Sequence, residues 1–151
     1  MLTRDTEIRV RYQETDNMGV VYYANYFIWF EVARTEYLRS LGVSYKQLED
    51  RGMFLMVASA SCEYKSPARF DDIVSIKTWI PRMKNSSLQF EHKLSIGSKL
   101  VATGESVHVF TNQMGRPIRI PDDIRKMYKE SQGAEPITSG LALSPDLCLP
   151  E

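Results

Sequence analysis

Arg11-Tyr12-Gln13-Glu14-Thr15-Asp16-Asn17-Met18-Gly19-Val20-Val21-Tyr22-Tyr23-Ala24-Asn25-Tyr26 runs straight into an amphipathic segment that ends at Leu41. The polar turn around Asp16 therefore lies a few residues ahead of a strongly apolar helix. A helix N-terminus exposes unpaired N–H groups and a partial positive charge. A carboxylate facing such an end can attack a carbonyl or activate water while the N–H groups hold an oxyanion. Asp16 can equally make an Asx-turn or cap the helix. Residue chemistry alone leaves these two readings even.

Upstream, Ile8, Val10 and Tyr12 alternate with polar residues and predict a strand near 6–13. Downstream the period changes. Phe27, Phe30, Ala33, Tyr37, Leu38 and Leu41 share one face of a helix over 25–41, with Glu31, Arg34, Glu36 and Arg39 mostly opposite. Gly42 is a natural stop. Ser44 and Gln47 predict a capping box for a short helix near 45–51, ended by Gly52. Residues 54–65, 72–83, 86–96 and 99–113 have period-2 character rich in Val, Ile, Phe and Thr, and read as strands. Asn85-Ser86 and Gly97-Ser98 mark the turns between the last three. Pro121-Asp122-Asp123 opens a helix that closes near Ser131. Beyond Gln132 lie Gly133, Pro136, Gly140, Pro145 and Pro150, which read as an extended or partly disordered tail after one domain over 1–131. One long apolar helix and a run of long strands specify an α+β fold, an antiparallel sheet curled around the helix.

Composition narrows the function. The 151 residues suit one domain, and 43% are hydrophobic, enough for a sizeable core. Nineteen basic residues balance nineteen acidic ones, so a non-specific nucleic-acid binder is excluded as an expectation. Zero net charge also favours self-association. Cys62 and Cys148 make no disulfide framework, and reduced thiols in a cytoplasm are the simpler reading. Residues 1–15 hold no apolar signal segment, and no run of about 18 apolar residues could span a membrane.

Other chemistry-bearing residues carry two readings each. Glu14, two residues before Asp16, could share its face if the strand continues, but reads first as a solvated charge at a strand end. Asn17 and Asn25 could orient a carboxylate or water, or serve as turn and cap. Gly19 reads as a backbone requirement or a point of close substrate approach. His92 and His108 read as sheet residues, and the few His and Cys rule out a metal site. Gly104-Glu105-Ser106-Val107-His108 superficially matches a nucleophile elbow, but lacks the final Gly and sits inside a strand. Cys62 reads as a small core residue. Arg82 and Lys84 are two apart, so period 2 sends both cations the same way; they suit phosphates or a solvated strand end. Lys65 and Arg69 are weaker cationic candidates, and Arg69 could instead pair with Asp71 or Asp72. Tyr22, Tyr23, Tyr26, Phe27, Trp29 and Phe30 exceed what one helix face needs, so some should meet a partner subunit or an acyl group; Phe27 and Phe30 read as core.

Three motifs carry a family resemblance. Tyr12-x-x-Thr15-Asp16-x-x-Gly19-Val20-Val21-Tyr22-Tyr23-x-Asn25-Tyr26, Tyr64-Lys65-x-Pro67-Ala68-Arg69-Phe70-Asp71-Asp72 and Arg82-x-Lys84-x-Ser86 resemble, in order and spacing, the signature of hotdog-fold acyl-CoA thioesterases of the 4-hydroxybenzoyl-CoA thioesterase type. The likeness covers about residues 5–130. It implies a hotdog fold, obligate homodimers that often pair into tetramers, and thioester hydrolysis without a cofactor. It makes Asp16 the nucleophile or general base and the Tyr23 N–H the group that polarises the carbonyl, with Gly19 and Asn25 in the same motif. It gives Arg82, Lys84, Ser86, Lys65 and Arg69 to binding of the acyl-CoA substrate. Some relatives carry His at the position of Tyr23, so no imidazole acts there, whereas a backbone N–H survives the change.

The leading expectation is thus a cytoplasmic acyl-CoA thioesterase with no nucleic-acid partner and no membrane span. An acyl-carrier-protein thioesterase would need a basic docking surface that neutral charge does not advertise. A non-catalytic acyl-binding hotdog domain would not need Asp16 in its full motif, and a hydratase motif is absent. Aromatic, short aliphatic and long aliphatic acyl groups all remain open.

Overall fold

A computed structural model of the protein describes residues 1–133. In chain order it contains β1 (Arg4–Arg9), a 3-10 turn (Tyr12–Glu14), α1 (Asn25–Ser40), α2 (Tyr45–Asp50), β2 (Phe54–Tyr64), β3 (Ile73–Met83), β4 (Ser87–Ile96), β5 (Lys99–Thr111) and α3 (Asp122–Ser131). The strands form one sheet in the order β1-β3-β4-β5-β2, every neighbour antiparallel. This is the expected α+β architecture, with each long strand within two residues of its sequence-based bounds.

Alternation builds the core. Val74, Ile76 and Ile80 of β3 and Leu88, Phe90 and Leu94 of β4 point inward and are buried. They meet Phe30, Ala33, Tyr37 and Leu38 of α1 in two contiguous clusters. Gly104 sits directly under Phe30. A Cβ there would meet Phe30 Cζ at 2.2 Å, so only glycine lets the ring lie against β5. The Gly104–His108 stretch is therefore packing surface, not a nucleophile elbow.

Two expectations are corrected. The first strand stops at Arg9, because Val10 exchanges backbone hydrogen bonds with Asp71 and Asp72 and the chain then tightens into the 3-10 turn. In the first turn of α1, Tyr26 and Trp29 are buried instead of Phe27, which is 36% exposed. The buried arc is rotated because Trp29 bonds to Glu14 and Tyr26 packs edge-on against Tyr64, ring centres 5.0 Å apart.

Ser44 caps α2 by accepting the Gln47 N–H, one half of the expected box, without a return bond from the Gln47 side chain among the described residues; Gly42, Gly52 and Gly97 all have positive φ. Helix α3 docks through Arg125, whose guanidinium donates to the Lys84 carbonyl at 2.7 Å. Residues 132 and 133 form a turn; the rest of the expected tail, with Cys148, lies outside the described residues. No described helix is long and apolar enough to cross a membrane.

Candidate active site

A small hairpin presents Asp16. Thr15 and Val21 form an isolated bridge, the Asp16 N–H donates to the Val20 carbonyl at 2.9 Å, and the Gly19 N–H returns to the Asp16 carbonyl at 2.9 Å. Gly19 has φ +72°, a conformation that glycine adopts without the Cβ penalty. Asp16 Oδ1 accepts the Met18 N–H at 2.8 Å, so the Asx-turn exists. It uses one carboxylate oxygen. Asp16 Oδ2 has no hydrogen-bond partner among the described residues.

The second arm of the hairpin feeds the helix. The Tyr22 N–H donates to the Glu14 carbonyl at 2.9 Å, and the chain then turns through Tyr23 and Ala24 into α1. Ala24 holds the cap position and offers no side-chain acceptor; the Asn25 N–H donates to the Tyr22 carbonyl at 3.0 Å and the Phe27 N–H to the Ala24 carbonyl at 3.2 Å. Helices usually place Ser, Thr, Asp or Asn at the cap. The Tyr23 N–H has no backbone partner among the described residues, while the Tyr23 carbonyl accepts the Tyr64 hydroxyl at 2.8 Å. Burial pushes the Tyr64 phenol up to about 12, so it acts as a neutral donor.

Glu14 overturns its expected solvated role. It is 4% exposed. Its Oε1 accepts the Arg11 N–H at 2.8 Å and its Oε2 accepts the Trp29 indole N–H at 2.8 Å, with Arg11 Nε 3.4 Å away. Burial pulls its carboxyl upward, but these donors and the guanidinium together hold it below the ordinary glutamate value. Asn25 joins the same knot, its Nδ2 donating to the Glu14 carbonyl at 2.7 Å. Nothing local signals this. The indole that needs an acceptor lies fifteen residues away.

Arg69 comes to the Asp16 turn. Its guanidinium reaches the Gly19 carbonyl at 3.4 Å. The expected pairing with an acid does not form through the side chain: Asp71 pairs with Arg9 at 3.1 Å, and Asp72 accepts the Arg69 backbone N–H at 2.8 Å. Lys65 pairs with Glu63 at 2.9 Å.

Arg82 and Lys84 do converge, on a cavity of about 150 Å³ lined also by Ser87, Gln89 and Val107. Ser86 is not in that lining; its hydroxyl accepts from Asn85 and its carbonyl anchors the Phe110 N–H. The cavity lies where β3 turns into β4. The Asp16 hairpin lies at the opposite end of β3, tied to Ala68 through the Val21 N–H at 2.8 Å. Nine residue steps of strand, roughly 30 Å, separate Ile73 from Arg82. Within one chain the basic pair and Asp16 are not neighbours.

The histidines are structural. His92 Nδ1 meets Thr78 Oγ1 at 2.9 Å and His108 Nε2 meets Ser106 Oγ at 2.8 Å, both buried. Burial, helped by the nearby Arg34 cation, pushes them down to about 3 and about 4, so both are neutral. Cys62 is half-buried, and burial raises its thiol, which disfavours a thiolate nucleophile. Among the described residues, no group of three or more His, Cys, Asp or Glu is placed to hold a metal ion. A second cavity of about 290 Å³ opens between α1 and β2, walled by Phe27, Phe30, Val57 and Ala60 and reaching Glu31 and Arg34.

Residues 10–127 match the Thioesterase-like superfamily. The acyl-CoA thioester hydrolase YbgC of Escherichia coli O157:H7 is 40% identical over 125 residues, covering 82% of this chain and 93% of that one. The crystal structure of a DHNA-CoA thioesterase from Staphylococcus aureus superposes with a TM-score of 0.86 at 30% identity, covering 91% of this chain and all of that one. A 4-hydroxybenzoyl-CoA thioesterase solved with 4-hydroxybenzoyl-CoA shares the fold, with a TM-score of 0.76 at 24% identity over 83% and 97% of the two chains.

Proposed function

The chain belongs to the thioesterase-like superfamily of hotdog-fold thioester hydrolases, and from that premise we propose that it cleaves acyl-CoA to the free acid and coenzyme A at Asp16. One observation carries the assignment. A carboxylate with one oxygen unpaired among the described residues sits in a hydrogen-bonded turn just ahead of α1, where the Tyr23 N–H has no backbone partner among them. The thioester carbonyl oxygen accepts from the Tyr23 N–H, which stabilises the negative charge that develops there. Asp16 either attacks the carbonyl carbon or removes a proton from an attacking water. The tetrahedral adduct collapses and the C–S bond breaks; where Asp16 was the nucleophile, water then hydrolyses the acyl-aspartyl anhydride, which releases the acid and frees the carboxylate. A thiol with pKa of roughly 8.5 leaves as thiolate without strong acid assistance, so a single carboxylate suffices.

The site is completed by a second subunit in this reading. β2 is an edge strand of eleven residues, and its Met56 and Val57 are 52% and 59% exposed. A long apolar edge invites pairing. An isologous dimer joined along β2 covers it, and brings a partner's strand beside the Asp16 turn and α1 start. The same assembly supplies the basic pair: Arg82 and Lys84 serve the coenzyme A phosphates of the site whose Asp16 belongs to the other chain. The α1–β2 cavity takes the acyl group. Zero net charge supports a small-molecule thioester over an acyl carrier protein, which is acidic and wants a basic dock.

The deciding experiment is Asp16→Asn, assayed by thiol release from a panel of acyl-CoAs. The change keeps size and removes nucleophilicity and basicity. We expect loss of most turnover with fold and assembly intact. Activity within about threefold of wild type, under about 0.7 kcal/mol of barrier, would refute the role.

A further inference from the structure

We infer that Glu14 is a positioning residue for the hydrolysis, locking the Asp16 turn to the first turns of α1 through its two carboxylate oxygens and its own carbonyl. The inference rests on the acyl-CoA thioesterase reading above and assigns a role to a residue that touches no substrate.

Four hydrogen bonds converge on this one residue. Oε1 takes the Arg11 N–H at 2.8 Å, on the segment that enters the turn. Oε2 takes the Trp29 indole N–H at 2.8 Å, on the buried face of α1. The carbonyl takes the Tyr22 N–H at 2.9 Å and Asn25 Nδ2 at 2.7 Å, at the point where the chain enters α1. The two components of the proposed site, Asp16 and the Tyr23 N–H, lie on opposite arms of the hairpin, and Glu14 grips both arms and the helix behind them.

Charge matters to this grip. Burying a carboxylate is costly, so a residue that only filled space would be apolar. A carboxylate offers two acceptor oxygens and forms shorter, stiffer bonds than a neutral amide. Both oxygens are used, by donors on different elements. An amide would present an NH₂ to one of those donors and release one element from the other. Asp16 follows by only two residues, and its own N–H is fixed to Val20, so a shift at Glu14 is carried to the catalytic carboxylate. Displacements of about 1 Å in reacting geometry cost up to about a hundredfold in rate, chiefly in kcat.

The test uses the full-length protein and the best substrate among acetyl-, hexanoyl-, palmitoyl- and benzoyl-CoA, read by thiol release well below each variant's melting temperature. Wild type and Asp16→Asn come first. If wild type releases no thiol from any of them, or Asp16→Asn retains activity, the thioesterase reading fails and this inference falls with it. Where that reading stands, Glu14→Gln and Trp29→Phe should each lower kcat at least tenfold with KM within twofold of wild type. The double variant should be no slower than the slower single one, because both cut the same link. A folded Glu14→Gln with kcat within twofold of wild type overturns the inference, as does a loss confined to KM or multiplicative losses in the double variant. Should Glu14→Gln fail to fold, Trp29→Phe, which keeps an apolar ring and removes only the indole donor and some volume, decides alone by the same kcat criterion.

Discussion

The Tyr64 hydroxyl donates to the Tyr23 carbonyl across 2.8 Å, tying the end of edge strand β2 to the start of α1. The tie fixes the peptide next to the N–H proposed to polarise the thioester. Tyr26 packs edge-on against the same ring, which leaves the phenol little freedom. Tyr64→Phe keeps the ring and removes the one hydrogen bond. A bond of this kind contributes about 1 kcal/mol, so kcat should fall about fivefold while the fold is retained. Steady-state kinetics of the purified variant check this; a kcat indistinguishable from wild type would show that the Tyr23 peptide needs no such anchor.

Gly104→Ala should destabilise the protein by about 1–3 kcal/mol, the usual cost of overpacking a filled core. The added Cβ would lie 2.2 Å from Phe30 Cζ and 2.5 Å from Cε2. Phe30 cannot yield easily, since it is fully buried and stacked on His92 with ring centres 4.5 Å apart. Denaturant unfolding measures the loss, and adding Phe30→Leu should return part of it. A change below about 0.5 kcal/mol would mean that the sheet opens at β5 more readily than this packing allows.

Stability should fall as pH drops from about 6.5 towards 4. His92 and His108 are held at about 3 and about 4 by burial and Arg34, against 6.5 in an unfolded chain. In that window the unfolded state binds more protons, so unfolding is favoured as pH falls, and the contribution is fully present above the unfolded value. Each imidazole contributes about 1.4 kcal/mol per pH unit, so the pair should cost about 4 kcal/mol between pH 6 and 4.5. The depressed value of Glu14 places its own loss lower still. Melting temperature against pH checks the slope, and His92→Gln with His108→Gln should flatten it.

The strands were legible because alternation survives burial: inward residues of β3 and β4 are apolar or paired, and the outward ones of β4 are polar. Helix α1 was legible in extent but not in rotation at its start. Aromatics at 26, 27, 29 and 30 surround the first turn, so periodicity cannot choose a face, and the choice is made by distant partners, Glu14 for Trp29 and Tyr64 for Tyr26. The Asp16 turn was legible because its hydrogen bonds are all local. The burial of Glu14 was not, because its cause is a tertiary contact. Period 2 correctly joined Arg82 to Lys84, yet no local rule tells how far along β3 they stand from Asp16.

That separation yields the sharpest test of assembly. If each site draws Asp16 from one chain and Arg82 with Lys84 from the other, two differently defective proteins should complement. Asp16→Asn lacks the reacting carboxylate in every site, and Arg82→Ala/Lys84→Ala lacks phosphate contacts in every site, raising KM for acyl-CoA more than it lowers kcat. Mixed dimers hold one site with both defects and one with neither. Co-expression with two affinity tags, followed by tandem purification, should therefore give heterodimers with about half the wild-type turnover and a wild-type KM. A site built within one chain would leave one defect in every site, and the heterodimer would show no wild-type kinetics. Light scattering at micromolar concentration should find no monomer in any of these preparations, since β2 would otherwise expose Met56 and Val57 along an open edge. A fully active monomer would overturn both the dimer and the shared site.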